Sequence, residues 1–294
     1  MARSGGEVHV PRASARWGVP VREALEGAIT AFTAAGVETP RLDAEVLLAH
    51  VLGVDRARLL TDRELSVEGA AVRPFQDAVR RRAVEREPVA YITGWRGFRN
   101  LDLRVDPRVL IPRPETELLV EVALGLPEGA AVLDVGTGSG AVALALWQER
   151  PDLEVTGSDV SEAALQVARA NGERLGLEVR WLTADLLDGA PDEFDAVLSN
   201  PPYVAEAERA MLTPEILRHE PPGALFAGAD GLAAIRPLVA QLAARERVRT
   251  AAIEVGATQA GAVAELMRSA GFEAVRAERD LAGIERVVVG ERSG

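Results

Sequence analysis

From about Pro20 to Arg86, apolar residues recur at three- and four-residue spacing, as in "VREALEGAITAFTAAG" and "TPRLDAEVLLAHVLG". That period puts one apolar face on a helix. Gly36 and Gly53 stand where the two runs stop, as left-handed C-terminal caps do, and Thr39-Pro40 suits a helix start. "SVEGAAVRPFQDAVRRRAVER" adds one or two helices. The pattern predicts an all-helical module over residues 17–86, preceded by a flexible extension over 1–16. Residues 87–112 change period. Tyr91, Trp95, Phe98 and the alternation in "LDLRV" predict a hairpin connector.

From residue 113 to 294 strand and helix signals take turns. "AVLDV", "LEVTGSD", "EVRWLTAD", "EFDAVLSN" and "RTAAIEVG" read as strands, separated by helical runs such as "AVALALWQER" and "SEAALQVARANGERLG". The last segment, "EAVRAERDLAGIERVVVGE", reads as two strands joined at "DLAG". Alternation of this kind predicts an α/β, Rossmann-like parallel sheet.

Composition narrows the chemistry. The chain has 294 residues, 48% of them apolar, enough for a full core. No apolar run is long enough to span a bilayer, and "MARSGGEVHVPRASAR" lacks the apolar stretch of a signal peptide, so a cytoplasmic protein with no membrane partner is expected. There is no cysteine, which excludes disulfides and thiolate chemistry. All 33 basic residues are arginine, so a Walker lysine and a Schiff-base lysine are excluded too. His9, His50 and His219 are scattered, and no metal is expected. The net charge of −12 argues against a nucleic-acid partner, and the arginines of "VRRRAVER" read as a solvated helix face.

"VLDVGTGSGAVALAL" is a strand, a glycine turn and a helix. Gly136, Gly138 and Gly140 would let a ligand approach the backbone at the helix start, with Thr137 and Ser139 between them. Asp159 ends the next strand, where a carboxylate can accept two ribose hydroxyls. To this point a dinucleotide and S-adenosyl-L-methionine both fit. Asp134 before the loop favours the second, because an acid attracts a cationic amino-acid moiety and repels a pyrophosphate. Asp185, at the third strand end, can reach an adenine amino group. Asn200-Pro201-Pro202-Tyr203 ends the fourth strand at the same edge.

The two prolines hold Asn200 and Pro201 extended. Asn200 Oδ1 and the Pro201 carbonyl can accept the two N–H bonds of an amide or aryl amine. Its lone pair, otherwise delocalised, is then aimed at an activated methyl. Tyr203 can stack on the flat face of that group. Fixed acceptors of this kind act by positioning and electrostatics.

With these motifs the chain resembles the HemK-like protein-(glutamine-N5) methyltransferases. The resemblance runs from about Val19 to the C-terminal strand. It rests on "TPRLDAEVLL", "EPVAYITG", "VLIPRPETE", "LDVGTGSG", "NPPYV", "HEPPGALFAGADGL" and "DLAGIER". It implies a class I S-adenosyl-L-methionine-dependent methyltransferase domain, leaving S-adenosyl-L-homocysteine as product. The implied substrate is the glutamine of the Gly-Gly-Gln loop of class I peptide chain release factors, with the helical domain helping to bind the factor. By the same resemblance, Gly136 to Gly140, Asp159 and the Asp185–Leu186 pair line the donor site, and Asn200 to Tyr203 hold the glutamine amide. Arg113, Glu115 and Thr116 have a supporting role, and Phe98 matches an aromatic lining the site. A monomer is expected.

Two other classes compete. "NPPY" also occurs in adenine-N6 methyltransferases, which call for a basic groove that this acidic chain does not offer. A non-catalytic adapter that binds donor and protein would not need the intact clamp.

Overall fold

The computed structural model describes residues 18–62 and 64–293. The proposed extension over 1–16, with His9, lies outside the described residues. Two compact units divide the chain, one ending at Ile92 and the other beginning at Thr93.

In the first unit β1 (Gly18–Pro20) leads into α1 (Val21–Ala34), α2 (Pro40–Leu52) and α3 (Arg56–Thr61). β2 (Ser66–Glu68), α4 (Val72–Arg80), a single π-helical turn (Arg81–Glu85) and the start of α5 (Val89–Thr93) complete it. Thr39 and Gly53 flank α2 as expected, and Gly53 is left-handed at φ 64°. α2 sits at the centre, with Ala44, Leu47 and Leu48 fully buried against Phe32 and Phe75. Its Asp43 is buried too, and accepts from Arg82 Nε at 2.7 Å and from Thr39 Oγ1 at 2.7 Å. The unit is not all helical. β1 and β2 form a two-stranded antiparallel ribbon, three residues each, too short for alternation to show in the sequence.

The second unit opens with the expected hairpin, β3 (Trp95–Phe98) and β4 (Leu101–Arg104). It then runs through α6 (Glu117–Leu124), β5 (Ala131–Val135), α7 (Ala141–Glu149), β6 (Glu154–Asp159), α8 (Glu162–Leu175), β7 (Arg180–Thr183) and β8 (Ala196–Ser199). α9 (Pro214–His219), α10 (Ile235–Ala243), β9 (Thr250–Glu254), α11 (Ala260–Ser269), β10 (Ala274–Arg279) and β11 (Glu285–Glu291) complete it. The seven-stranded sheet has the order β10-β11-β9-β8-β5-β6-β7. β5 to β9 are mutually parallel, and β11 runs antiparallel to both β9 and β10.

Alternation along the strands sorts two core layers. Val132, Leu198 and Val289 face α6, α7 and the hairpin. Leu133, Val197 and Val288 face α10 and α11. Buried side chains of this size contribute roughly 1.5–3 kcal/mol each. The chain leaves β5 for β6 on one side and returns to β8 on the other. That reversal opens a crevice at the carboxyl ends of β5 and β8, where open α/β sheets bind ligands.

Candidate active site

The crevice is a cleft of about 460 Å³. One wall is the turn after β5. Gly136 and Gly138 have φ of 71° and 56°, and a Cβ on either would meet nothing within 4 Å. Both therefore supply left-handed backbone beside open space, which suits a ligand lying against the loop. Thr137 N donates to Ser158 O at 2.8 Å and fixes the loop to β6.

Asp134 is buried at 2% exposure, and Thr137 Oγ1 donates to its Oδ2 at 2.6 Å. Burial raises its carboxyl to about 7, against the opposing pull of the Thr137 and Ala143 hydrogen bonds. Asp159 accepts from Gly138 N at 3.0 Å and from Ser161 N at 2.9 Å. Burial raises this carboxyl as well. Each of its oxygens keeps a lone pair for a hydroxyl donor. Asp185 and Asp188 exchange backbone hydrogen bonds of 3.1 and 2.9 Å around a tight turn. Leu186 in that turn is held left-handed at φ 56°, an unfavourable state for leucine. The turn is pinned from α10 and the residues just after it: Gln241 Oε1 accepts from Leu187 N, and Arg245 donates to Leu187 O. Val160 stands on the cleft wall, 68% exposed, an apolar surface open to a flat ligand.

The opposite wall carries the clamp. Asn200, Pro201 and Pro202 line the cleft with Thr116 and Pro112. Asn200 Nδ2 donates to Thr116 Oγ1 at 3.0 Å. In this orientation Oδ1 is left as the acceptor. After Tyr203 the chain pairs with a later segment: Val204 N donates to Leu225 O and Ala227 N to Val204 O, both at 2.9 Å. This explains why "NPPYV" and "ALFAG" occur together. Glu220, 4% exposed, accepts from Ile111 N at 3.1 Å and from Arg113 Nη2 at 2.5 Å, joining two further parts of the wall.

Four expected site residues stand elsewhere. Phe98 is 2% exposed in the core layer under the hairpin and lines no part of the cleft, because its position in β3 turns it inward. Gly140 is a packing glycine. A Cβ there would lie 2.9 Å from the Trp181 ring and 3.2 Å from Ala168. Arg113 is engaged with Glu220 behind the wall. Tyr203 packs on the core layer of α10 and α11, and its hydroxyl donates to Glu254 Oε1 at 3.3 Å.

Three residues that hold the site escaped the sequence reading. Asn171 of α8 is fully buried. Its Nδ2 donates to Ser139 O and Arg104 O, each at 3.0 Å, and its Oδ1 accepts from Arg104 N at 2.7 Å. Gln259 and Glu254 support the clamp from below. Glu254 alone left a signal, an acid at a strand's carboxyl end like Asp159.

A family model described as "PrmC N-terminal domain" matches residues 23–94, and one described as "Methyltransferase small domain" matches 114–227. A release factor glutamine methyltransferase of Mycolicibacterium smegmatis is 43% identical over 92% of this chain and 98% of its own length. One of Deinococcus radiodurans is 42% identical over 93% and 99%. The chain belongs to the release factor glutamine methyltransferase family. Membership resolves the ambiguity of the glycine loop in favour of a methyl donor. In fold, a methyltransferase from Pyrococcus furiosus superimposes with a TM-score of 0.51 over 67% of this chain and 91% of its own, at 18% identity. The release factor glutamine methyltransferase family thus accounts for both units of the chain. Among the described residues no helix is long and apolar enough to cross a membrane.

Proposed function

We propose that this protein transfers a methyl group from S-adenosyl-L-methionine to the side-chain N5 of the glutamine in the Gly-Gly-Gln loop of class I peptide chain release factors. The observation that carries this reading is the Asn200–Thr116 hydrogen bond of 3.0 Å, which leaves Oδ1 as the acceptor of a side chain that lines the cleft together with Pro201. Two acceptors match the two N–H bonds of a primary amide.

The residues present fit the donor. Gly136 and Gly138 leave room at the backbone, Asp159 offers acceptors for a ribose diol, and Val160 and Leu186 offer an apolar slot next to Asp185. Asp134 supplies negative charge for a cation. When bound, the donor supplies an electrophilic methyl on a sulfonium. Asn200 and Pro201 would hold the glutamine nitrogen in line and draw on its two protons. The residues of the clamp would thus orient the nitrogen that accepts the methyl, and the proton it sheds would leave to solvent. Tyr203 would brace the clamp from the core side, with Arg113 bracing the wall through Glu220. The helical unit, which carries none of these groups, is assigned to recognition of the factor. The protein would act as a cytoplasmic monomer with no nucleic-acid partner.

Intact-mass spectrometry of a release factor incubated with enzyme and donor tests this. One added methyl, mapped to the Gly-Gly-Gln glutamine, is the expected result. Methylation of nucleic acid in place of the factor would overturn it.

A further inference from the structure

Two proline-stiffened segments meet at the cleft. The first, Ile111-Pro112-Arg113-Pro114, leads into Thr116. Its Arg113 is extended at φ −98° and ψ 148°, and Thr116 N donates to the Arg113 carbonyl at 3.2 Å. The second is Glu220-Pro221-Pro222, where the chain turns back toward Leu225. Glu220 is extended at φ −83° and ψ 148°. A proline holds its own φ and keeps the residue before it extended, so neither segment bends readily to suit the other. Pro112 and Thr116 line the cleft from the first, and Pro221, Gly223 and Ala224 from the second.

Glu220 joins them. Its side chain, 1% exposed, accepts from Ile111 N through Oε2 at 3.1 Å and from Arg113 Nη2 through Oε1 at 2.5 Å. A neutral acceptor would have satisfied the buried backbone N–H. A buried carboxylate is expensive to desolvate and is held only by a well-placed cation, as Arg113 is here. Bonds from both oxygens to one stiff segment fix its direction as well as its distance. The first segment is also fastened to the clamp, since Thr116 Oγ1 accepts from Asn200 Nδ2 at 3.0 Å. The second is fastened to the clamp's far end, since Leu225 O accepts from Val204 N at 2.9 Å. Glu220, Arg113, Thr116, Asn200, Val204 and Leu225 thus form a closed circuit of chain and hydrogen bonds. We infer that Glu220 is a positioning residue for methyl transfer: by holding Ile111 N and the Arg113 guanidinium at once, it closes the wall that keeps donor and clamp in register. The inference rests on the function proposed above. Without this closure the two segments can part, which opens an exit beside the donor and loosens the alignment of the clamp. A misplacement of about 1 Å costs roughly 100-fold in rate.

Glu220→Gln keeps the volume and an acceptor for Ile111 N but gives up the ion pair. Arg113→Met gives up the same pair from the other side. Dissociation of S-adenosyl-L-homocysteine from the enzyme alone, followed by chasing labelled ligand with unlabelled, should be about 10-fold faster in Glu220→Gln, the scale of one charge-assisted hydrogen bond. Single-turnover methylation of a release factor at saturating donor should fall roughly 10–100-fold. A dissociation rate does not depend on how much of the protein is folded, so a role in stability alone would leave it unchanged. Arg113→Met should show the same pair of effects. The double variant should be no worse than Arg113→Met, because both changes act through one contact. Wild-type dissociation in Glu220→Gln, a wild-type transfer rate in that variant, or additive losses in the double variant would each overturn the inference. A wild-type enzyme that leaves the factor unmethylated would instead remove the function, and the dissociation measurement would then decide by itself whether Glu220 closes the wall.

Discussion

Gln259 Nε2 donates to the carbonyl oxygen of Tyr203 at 2.9 Å. The same side chain accepts from Gly256 N through Oε1 at 2.9 Å and reaches Asp230 O at 3.3 Å. One amide at the start of α11 thus ties the end of the clamp to the turn after β9. Gln259→Glu would set a carboxylate oxygen against two carbonyls. We expect a loss of roughly 1–3 kcal/mol in stability, the scale of an unpaired buried polar group, and a larger fall in kcat than in donor affinity. Urea denaturation with single-turnover assays checks this, and wild-type values in both would refute it.

Donor binding should depend on pH through Asp134. Its carboxyl lies at about 7, raised chiefly by burial. A cationic donor favours the ionised form. At pH 6 roughly a tenth of the protein carries that charge and at pH 8 roughly nine-tenths, so affinity gains about 10-fold over the interval, one pK unit of free energy. Calorimetry should show this gain in wild type relative to Asp134→Asn. Parallel pH profiles in the two proteins would contradict it.

Glu254 makes stability fall as pH rises. Its carboxyl moves from the ordinary 4.5 to about 7 on burial. Below pH 4.5 it is protonated in both the folded and the unfolded chain and costs nothing. Between 4.5 and 7 the unfolded chain ionises first, so the folded state loses ground. Above 7 the cost is complete, about 3 kcal/mol at 1.36 kcal/mol per pK unit. Glu254→Gln carries no such penalty. Its stability relative to wild type should therefore climb from pH 4.5 to pH 8, as read by urea unfolding, and a flat difference would sink the assignment.

Gly157 of β6 has the Trp181 ring over it. A Cβ at this position would lie 2.5 Å from the ring, well inside contact distance. Gly157→Ala should destabilise the protein by roughly 1–3 kcal/mol, as overpacking does, with the donor cleft loosened because Thr137 is also adjacent. In a Trp181→Leu background the cost of Gly157→Ala should shrink. An undiminished cost in the double variant would place the strain elsewhere.

Much of the donor half was legible because it obeys strand periodicity. Asp134, Asp159 and Asp185 each follow or close an apolar strand, and Gly136 and Gly138 sit where a helix begins. The rigid turn after β8 was legible because two prolines in sequence restrict the backbone whatever surrounds them. The direction in which a side chain faces was not legible, since it depends on neighbours distant in sequence. Phe98 turns into the core because β3 pairs with β4 over α6 and α7. Gly140 serves Trp181, 41 residues away. Asn171 reaches Ser139 across 32 residues, and Gln259 reaches Tyr203 across 56. The ribbon of β1 and β2 was missed because three residues give no period to count.

The pairing of Val204 with Leu225 and Ala227 has a consequence for exchange of parts. The excursion from Val204 to Leu225 is closed at its base by backbone hydrogen bonds and tied again at Glu220. Asn200 and Pro201 lie before the closure, whereas Pro221, Gly223 and Ala224 line the cleft from the excursion's far end. Doubling the length of such a closed loop costs only about 0.6 kcal/mol. Met211, at 81% exposure, marks the outer part of the excursion, where added length is cheapest, while Arg209 keeps its base anchored over the Phe226 ring.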